Sequence, residues 1–181
     1  MGRTDTDRVY DELLVTLVRA GNVRAGERLA ARWQLRLLRT ARRLLNNDEQ
    51  ARDAVQEAWI AICRGWLSLN DPVKFPAWAF SILHRKCADR IRTAQKLRQH
   101  EAAPEAAIEN GVSSGVETTL SLAQAFAQLG DAHRAAAVLF FIEGLTLAEI
   151  AIATDVPVGT AKSRIFHARR QLKAHLVGEA S

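Results

Sequence analysis

The sequence predicts an all-α chain: two small helical domains joined by a flexible acidic linker. Three observations predict it. Apolar residues recur at spacings of three and four along each periodic stretch, and nowhere do apolar and polar residues alternate as in a half-buried strand. Composition shifts abruptly over residues 97–118, where Glu101, Pro104, Glu105, Glu109, Gly111, Ser113, Ser114, Gly115 and Glu117 leave almost nothing large and apolar. Charge follows the same division, with a net +7 over residues 1–96, −3 over 97–118 and +1 over 119–181, for a total of +5. The expected domains are therefore residues 1–96 and 119–181, with 97–118 as the tether.

Residues up to about Gly26 carry moderate helical signals at Leu13, Leu14, Leu17 and Val18, broken at Ala20-Gly-Asn-Val. A stronger helix is expected from about Glu27 to Leu45. Leu29, Trp33, Leu37, Ala41 and Leu44 share one face, and Arg28, Arg32, Arg36, Arg39 and Arg43 another. Asn46-Asn47-Asp48 ends it and caps the next helix. That helix, about Glu49 to Leu67, is expected to bury Ala51, Val55, Ala58, Trp59, Ile62 and Trp66, and to show Asp53, Gln56 and Glu57. The two prolines of Asn70–Pro76 make a loop. A helix from about Ala77 to Arg98 follows, apolar at Trp78, Ile82, Ala88 and Ile91 and polar at His84, Arg85, Lys86, Arg90, Arg92 and Lys96.

Beyond the tether, Leu122, Phe126 and Leu129 mark one helix and Ala136, Leu139 and Phe140 a second, stopped at Gly144. Thr146 caps a third, with Glu149 reaching back to complete a capping box. Asp155 to Pro157 interrupt that helix, since Pro157 removes a backbone donor and disfavours helix at Val156. Proline suits the first turn of the helix that follows.

In this last helix Ala161, Ile165, Ala168, Leu172 and Leu176 form one apolar stripe. From Pro157 to Lys173 there are five cations (Lys162, Arg164, Arg169, Arg170 and Lys173) and no acid. A short capped helix, a tight turn and a basic helix make the pattern of a helix-turn-helix DNA reader, in which base edges are met by the start of the second helix, here Val158 to Arg164. Lys and Arg supply phosphate affinity by displacing condensed counterions. Phe166 falls with Ser163 and Arg170, off the apolar stripe. A thymine methyl, a protein partner and a neighbouring side chain are all open to it.

Composition excludes several classes. The chain is 48% hydrophobic and 25% charged, so it is not disordered throughout. A sequence pI of about 9.8 points to a polyanionic partner. No apolar run approaches the ~18–20 residues of a membrane span, and Met1-Gly-Arg-Thr-Asp-Thr-Asp-Arg does not resemble a signal peptide. Cys63 and Cys87 lack metal-ligand spacing and read as reduced, partly buried thiols of a cytoplasmic protein. His84, His100, His133, His167 and His175 have no Ser or Cys partner at catalytic spacing, and there is no Gly-rich phosphate loop, so neither an enzyme nor a cofactor is expected.

The motif Asp155-Val-Pro-Val-Gly-Thr-Ala-Lys-Ser-Arg-Ile-Phe-His-Ala-Arg-Arg-Gln-Leu resembles region four of the bacterial extracytoplasmic-function (group IV, sigma-70 family) sigma factors. Asp53-Ala-Val-Gln-Glu-Ala-Trp59 is similar to their region 2.2, and Trp78-Ala-Phe-Ser-Ile-Leu-His-Arg-Lys-Cys-Ala-Asp89 to regions 2.3 and 2.4. The resemblance runs from about residue 25 to 176, excluding the tether, with no segment expected for regions 1.1 or 3.

It implies an alternative sigma factor that binds core RNA polymerase and directs promoter recognition and transcription initiation. Asp53, Gln56 and Glu57 would bind the clamp helices of the β′ subunit, and region four would also meet the β flap. Lys74, Phe75, His84, Arg85 and Lys86 would serve the minus-ten element, where an unstacked base needs cationic and planar side chains. Trp78 is read as core. Gly159, Thr160, Lys162, Ser163, Arg164, His167 and Arg170 would read the minus-thirty-five element. The acidic tether would thread the RNA-exit path, and an anti-sigma factor would hold the free chain. The sequence departs from the family at Arg85 (often Asn), Gly130 (often Pro) and Phe166 (often His or a basic residue). The competing reading is a two-domain DNA-binding regulator that leaves the Asp53-Gln56-Glu57 face unused.

Overall fold

The computed structural model describes residues 5–100 and 117–178, and among them the secondary structure is helical, with no strand. The all-α expectation therefore holds. Most of the expected acidic tether (101–116), the polar start of the chain and the Leu176 side chain lie outside the described residues.

Helix α1 (Asp5–Arg19) buries Leu14 and Val15 and packs along α2 (Val23–Leu45). The break between them is shorter than expected. Gly21 turns the chain at φ +87°, a left-handed angle that costs glycine nothing, and the Asn22 side chain accepts from the Ala25 N–H to start α2 at once. Gly26 thus lies inside the helix. The predicted face of α2 is buried throughout, from Leu29 to Leu44. Asn46 then closes the helix in the left-handed conformation, and Asn47 Oδ1 accepts from the Gln50 N–H to open α3 (Asp48–Gly65). Ala51, Val55, Ala58 and Ile62 are buried as predicted, together with Ala54, whereas Trp59 and Trp66 are only partly covered.

Two short turns, Trp66–Ser68 and Pro72–Lys74, lead into α4 (Phe75–His100), which starts two residues earlier than expected. Its buried face is Phe75, Ala79, Phe80, Leu83 and Cys87, while Trp78 and Ile82 are half-buried. The expected stripe at Trp78, Ile82, Ala88 and Ile91 is thus rotated from the real one. The near-continuous apolar run from Phe75 to Phe80 hides the helical period. Phe75 meets Trp33 edge-on, with centroids 4.8 Å apart, and stacks on Trp66 at 5.8 Å.

The C-terminal half comprises α5 (Glu117–Ala127), α6 (Asp131–Ala137), a wide turn over Val138–Ile142, α7 (Leu147–Thr154) and α8 (Val158–Gly178). Phe126 and Leu129 are buried as expected, but Leu122 and Phe140 are exposed. Gly144 stops the wide turn at φ +68°. The capping box at Thr146 is formed, with Thr146 Oγ1 accepting from the Glu149 N–H and Glu149 Oε2 accepting from the Thr146 N–H at 2.7 Å. Asp155 ends α7 in the left-handed conformation, and Pro157 sits just before α8, whose first turn begins on the Pro157 carbonyl.

The two halves are not held apart. One hydrophobic core runs through both, α7 lies along α4, and α5 and α6 touch α2. Of the two free cysteines Cys63 is exposed and Cys87 buried, so the expectation of two partly buried thiols fits neither. Burial in the apolar core pushes the Cys87 thiol up to about 12, only weakly offset by Arg90.

Candidate nucleic-acid interface

Helix α8 is positioned by its buried stripe. Ala161, Ile165, Ala168 and Leu172 pack inward on α6 and α7, which turns Gly159, Lys162, Ser163, Arg169 and Arg170 to solvent and leaves Thr160, Arg164 and His167 half-exposed. Five cations, the exposed Lys173 among them, project from the helix, an arrangement that can lie in a major groove with charge along the flanking phosphates. His167 is flanked by two rings, His133 at 5.9 Å and Phe166 at 5.6 Å. Phe166 itself is 64% exposed, so its contact with His167 leaves most of the ring on the surface.

On α4 the predicted residues divide. Arg85 is exposed, Lys86 and His84 are half-buried, and Lys74 lies exposed on the preceding turn, 3.6 Å from Asp71. Phe75 is 0% exposed, locked between Trp33 and Trp66, and offers no face to a nucleic-acid base. This corrects the minus-ten expectation for Phe75, which belongs to the core. Half-burial of Trp78, by contrast, leaves part of its indole at the surface beside Gly65, where an added Cβ would stand 2.9 Å from the ring. His84 is held below the ordinary histidine range, first by burial and then by the charges of Arg164, Arg85 and Arg92. Arg164 of α8 is among the charges that act on His84, so two residues expected at different promoter elements share one electrostatic environment.

The third set lies on α3. Asp53, Gln56 and Glu57 are all exposed. The two acids are engaged by cations of α4: Arg90 lies 2.6 Å from Glu57 and 3.5 Å from Asp53, and Lys86 lies 3.2 Å from Glu57. Glu57, Lys86, Ile60, Ala61, Arg64 and Gly65 line a shallow depression between the helices. Sequence reasoning placed Arg90 on a polar face without its acidic partners. The only signal was opposite charge on two helices of unknown register.

Among the described residues no group of His, Cys, Asp and Glu side chains could hold a metal ion. No described helix is long and apolar enough to cross a membrane.

Comparison with known proteins follows the same division. Residues 29–97 match sigma-70 region 2, and residues 119–172 match sigma-70 region 4. The ECF RNA polymerase sigma factor SigM of Mycobacterium tuberculosis is 33% identical over 177 residues, which cover 95% of this chain and 86% of SigM. The RNA polymerase sigma-H factor of Pseudomonas aeruginosa is 28% identical, over 90% of this chain and 91% of its own. Among solved structures, CnrH in complex with the cytosolic domain of CnrY superposes with a TM-score of 0.67 at 27% identity, covering 93% of this chain and 98% of CnrH. The Bartonella quintana sigma factor RpoE, solved with the anti-sigma factor NepR, shares the fold with a TM-score of 0.71 at 22% identity, over 83% and 95% of the two chains. Sigma factors initiate transcription by binding core polymerase and promoter DNA rather than by catalysis, and the reading as a regulator independent of polymerase gives way. The chain belongs to the extracytoplasmic-function sigma factors of the sigma-70 family.

Proposed function

We propose that this sigma factor grips its promoter at two points, with a separate face for polymerase. In this reading α8 enters the major groove of the minus-thirty-five element. Gly159, Thr160, Lys162, Ser163, Arg164 and His167 meet bases and sugar-phosphate there, and Arg170 meets phosphate. Lys74, His84, Arg85 and Lys86 serve the melted minus-ten element. Asp53, Gln56 and Glu57 engage the β′ clamp helices, and the domain over residues 119–181 also meets the β flap. The domain over residues 1–96 and the tether over 97–118 complete the division. The chain acts by binding alone, without a cofactor, and works in the cytoplasm.

One observation carries this reading. The Ala161–Leu172 stripe is buried while the cations between its members point outward, as a DNA-reading helix requires. An anti-sigma factor is the further partner, supported by the solved relative that was captured with one. Run-off transcription tests the reading: core polymerase with this chain should give discrete products from genomic templates. No chain-dependent product, where an authentic sigma factor gives one, would sink it.

A further inference from the structure

Seven arginines stand on α2, and the structure divides them. Arg32 is paired with Asp7 and Asp11, each at 3.0 Å, and Arg42 with Asp48. Arg36 donates from Nε to Glu143 Oε2 at 2.5 Å. Among the described residues, Arg24, Arg28, Arg39 and Arg43 form no ion pair, although Glu143 acts on Arg43 from a distance. All four are exposed. At ~3.6 residues per turn, Arg24, Arg28, Ala31, Leu35, Arg39 and Arg42 fall on one stripe, opposite the buried face centred on Trp33, with Arg43 at its edge. No acid stands on that stripe, and Glu27 lies to one side of it. Arg24 and Arg28 are four residues apart, as are Arg39 and Arg43, and like charges at that spacing repel.

Packing explains none of these four cations, because they face away from the core. Arginine suits phosphate: its planar fork gives paired hydrogen bonds to the oxygens, and its charge persists at any physiological pH. The spacing narrows the ligand further. Arg24 to Arg39 and Arg28 to Arg43 are each fifteen residues, about 22 Å of helix at ~1.5 Å per residue. Along the midline between the two pairs lie the exposed, uncharged Ala31 and Leu35. The major groove of B-DNA is about 12 Å wide between its walls, so phosphates on both rims come within reach of the two pairs at once. We propose that the outer face of α2 is a further nucleic-acid surface, separate from α4 and α8. It lies across duplex DNA without reading sequence, Arg24 and Arg28 on the phosphates of one strand and Arg39 and Arg43 on those of the other. An acidic protein segment is the competing polyanion, and the arginine fork and the two-pair spacing favour phosphate. The inference does not depend on the two-point reading, since α2 carries none of the residues placed there.

The test uses the full chain and a labelled duplex of random sequence, followed by fluorescence anisotropy from about 50 to 200 mM salt. Each phosphate contact adds ~0.9 to the slope of log affinity against log salt. Arg24→Gln with Arg28→Gln should therefore lower the slope by about 1.8, Arg39→Gln by about 0.9, and all three together by about 2.7. The corresponding lysine variants, which keep the charge without the fork, should retain most of the slope. Circular dichroism identifies folded variants, and Arg39→Gln alone decides if the triple variant loses helix. A single strand of the same length should lose less than the duplex, and an equal loss would overturn the seating across two strands. An unchanged duplex slope in the glutamine variants would overturn the proposal outright. So would a loss confined to labelled polyglutamate with duplex binding intact, which would assign the face to an acidic protein segment.

Discussion

Glu57 of α3 and Lys86 of α4 form an ion pair at 3.2 Å, and Arg90, one turn further along α4, joins the same carboxylate at 2.6 Å. Glu57 is proposed to meet polymerase and Lys86 the minus-ten element, so the two proposed faces share one small charge network. A partner that takes Glu57 therefore also changes what holds Lys86.

This pair should show in a double-mutant cycle. Glu57→Ala and Lys86→Ala, singly and together, should give a coupling of about 0.2–1 kcal/mol in thermal or urea unfolding, because both side chains are solvent-accessible. The coupling should shrink as salt is raised. Strict additivity at low salt would show that the pair does not form in solution.

His84 should titrate below its ordinary value of 6.5, because burial and then Arg164, Arg85 and Arg92 disfavour its charged form. The sign follows from linkage. The unfolded chain takes up the proton first as pH falls, so stability is full above about pH 6.5 and is lost as pH drops toward the lower folded value. Proton NMR of the His84 ring measures the shift directly. Arg164→Ala should bring the titration part of the way back up toward 6.5, and no movement would show that the Arg164 charge does not act on His84.

Salt dependence should separate the cations of α8. Lys162→Ala, Arg164→Ala and Arg169→Ala should each weaken promoter binding. A residue that touches phosphate alone should lower the slope of log affinity against log salt by about one, uniformly across sequences. A residue that reads a base should instead relax the preference at one position, at about 1–3 kcal/mol. Fluorescence anisotropy on matched and mismatched duplexes reads both. Equal binding of Arg164→Ala and the unaltered chain across the series would remove Arg164 from the interface.

Asp11 is the structural acid of the N-terminal half. Its side chain is 5% exposed, accepting from Trp33 Nε1 and Arg32 Nε, each at 3.0 Å. Asp11→Ala removes the acceptor of the buried Trp33 indole N–H and leaves the part-exposed Arg32 paired with Asp7, and should cost about 1–3 kcal/mol. In a chain of this size that is a fall in Tm of roughly 2–12 °C by calorimetry. Asp11→Asn, which keeps an acceptor, should lose less.

Much of this fold was legible where a signal is local. Asn46 and Asn47 announce a stop and a start because an amide side chain tolerates the left-handed angle and accepts from the next turn. Thr146 and Glu149 make their capping box within four residues. The α8 stripe emerged because small apolar residues stand isolated among cations. Periodicity failed in α4, where Phe75, Pro76, Ala77, Trp78, Ala79 and Phe80 are all apolar and no face stands out. The same run made Phe75 look available to a base when three aromatic rings were competing for one interior. Least legible were the contacts between the halves. Arg36 and Glu143 are 107 residues apart, and each alone reads as a surface charge on an amphipathic helix or turn.

The aromatic packing has a practical consequence. All four tryptophans of the chain, Trp33, Trp59, Trp66 and Trp78, precede α5, and none lies in the half that carries α8. Indole emission is therefore a report from one half only, and Arg36, which grasps Glu143, lies directly on the Trp33 ring. Parting of the halves would disturb a native fluorophore without any dye, so stopped-flow mixing with core polymerase or duplex DNA can follow it in real time.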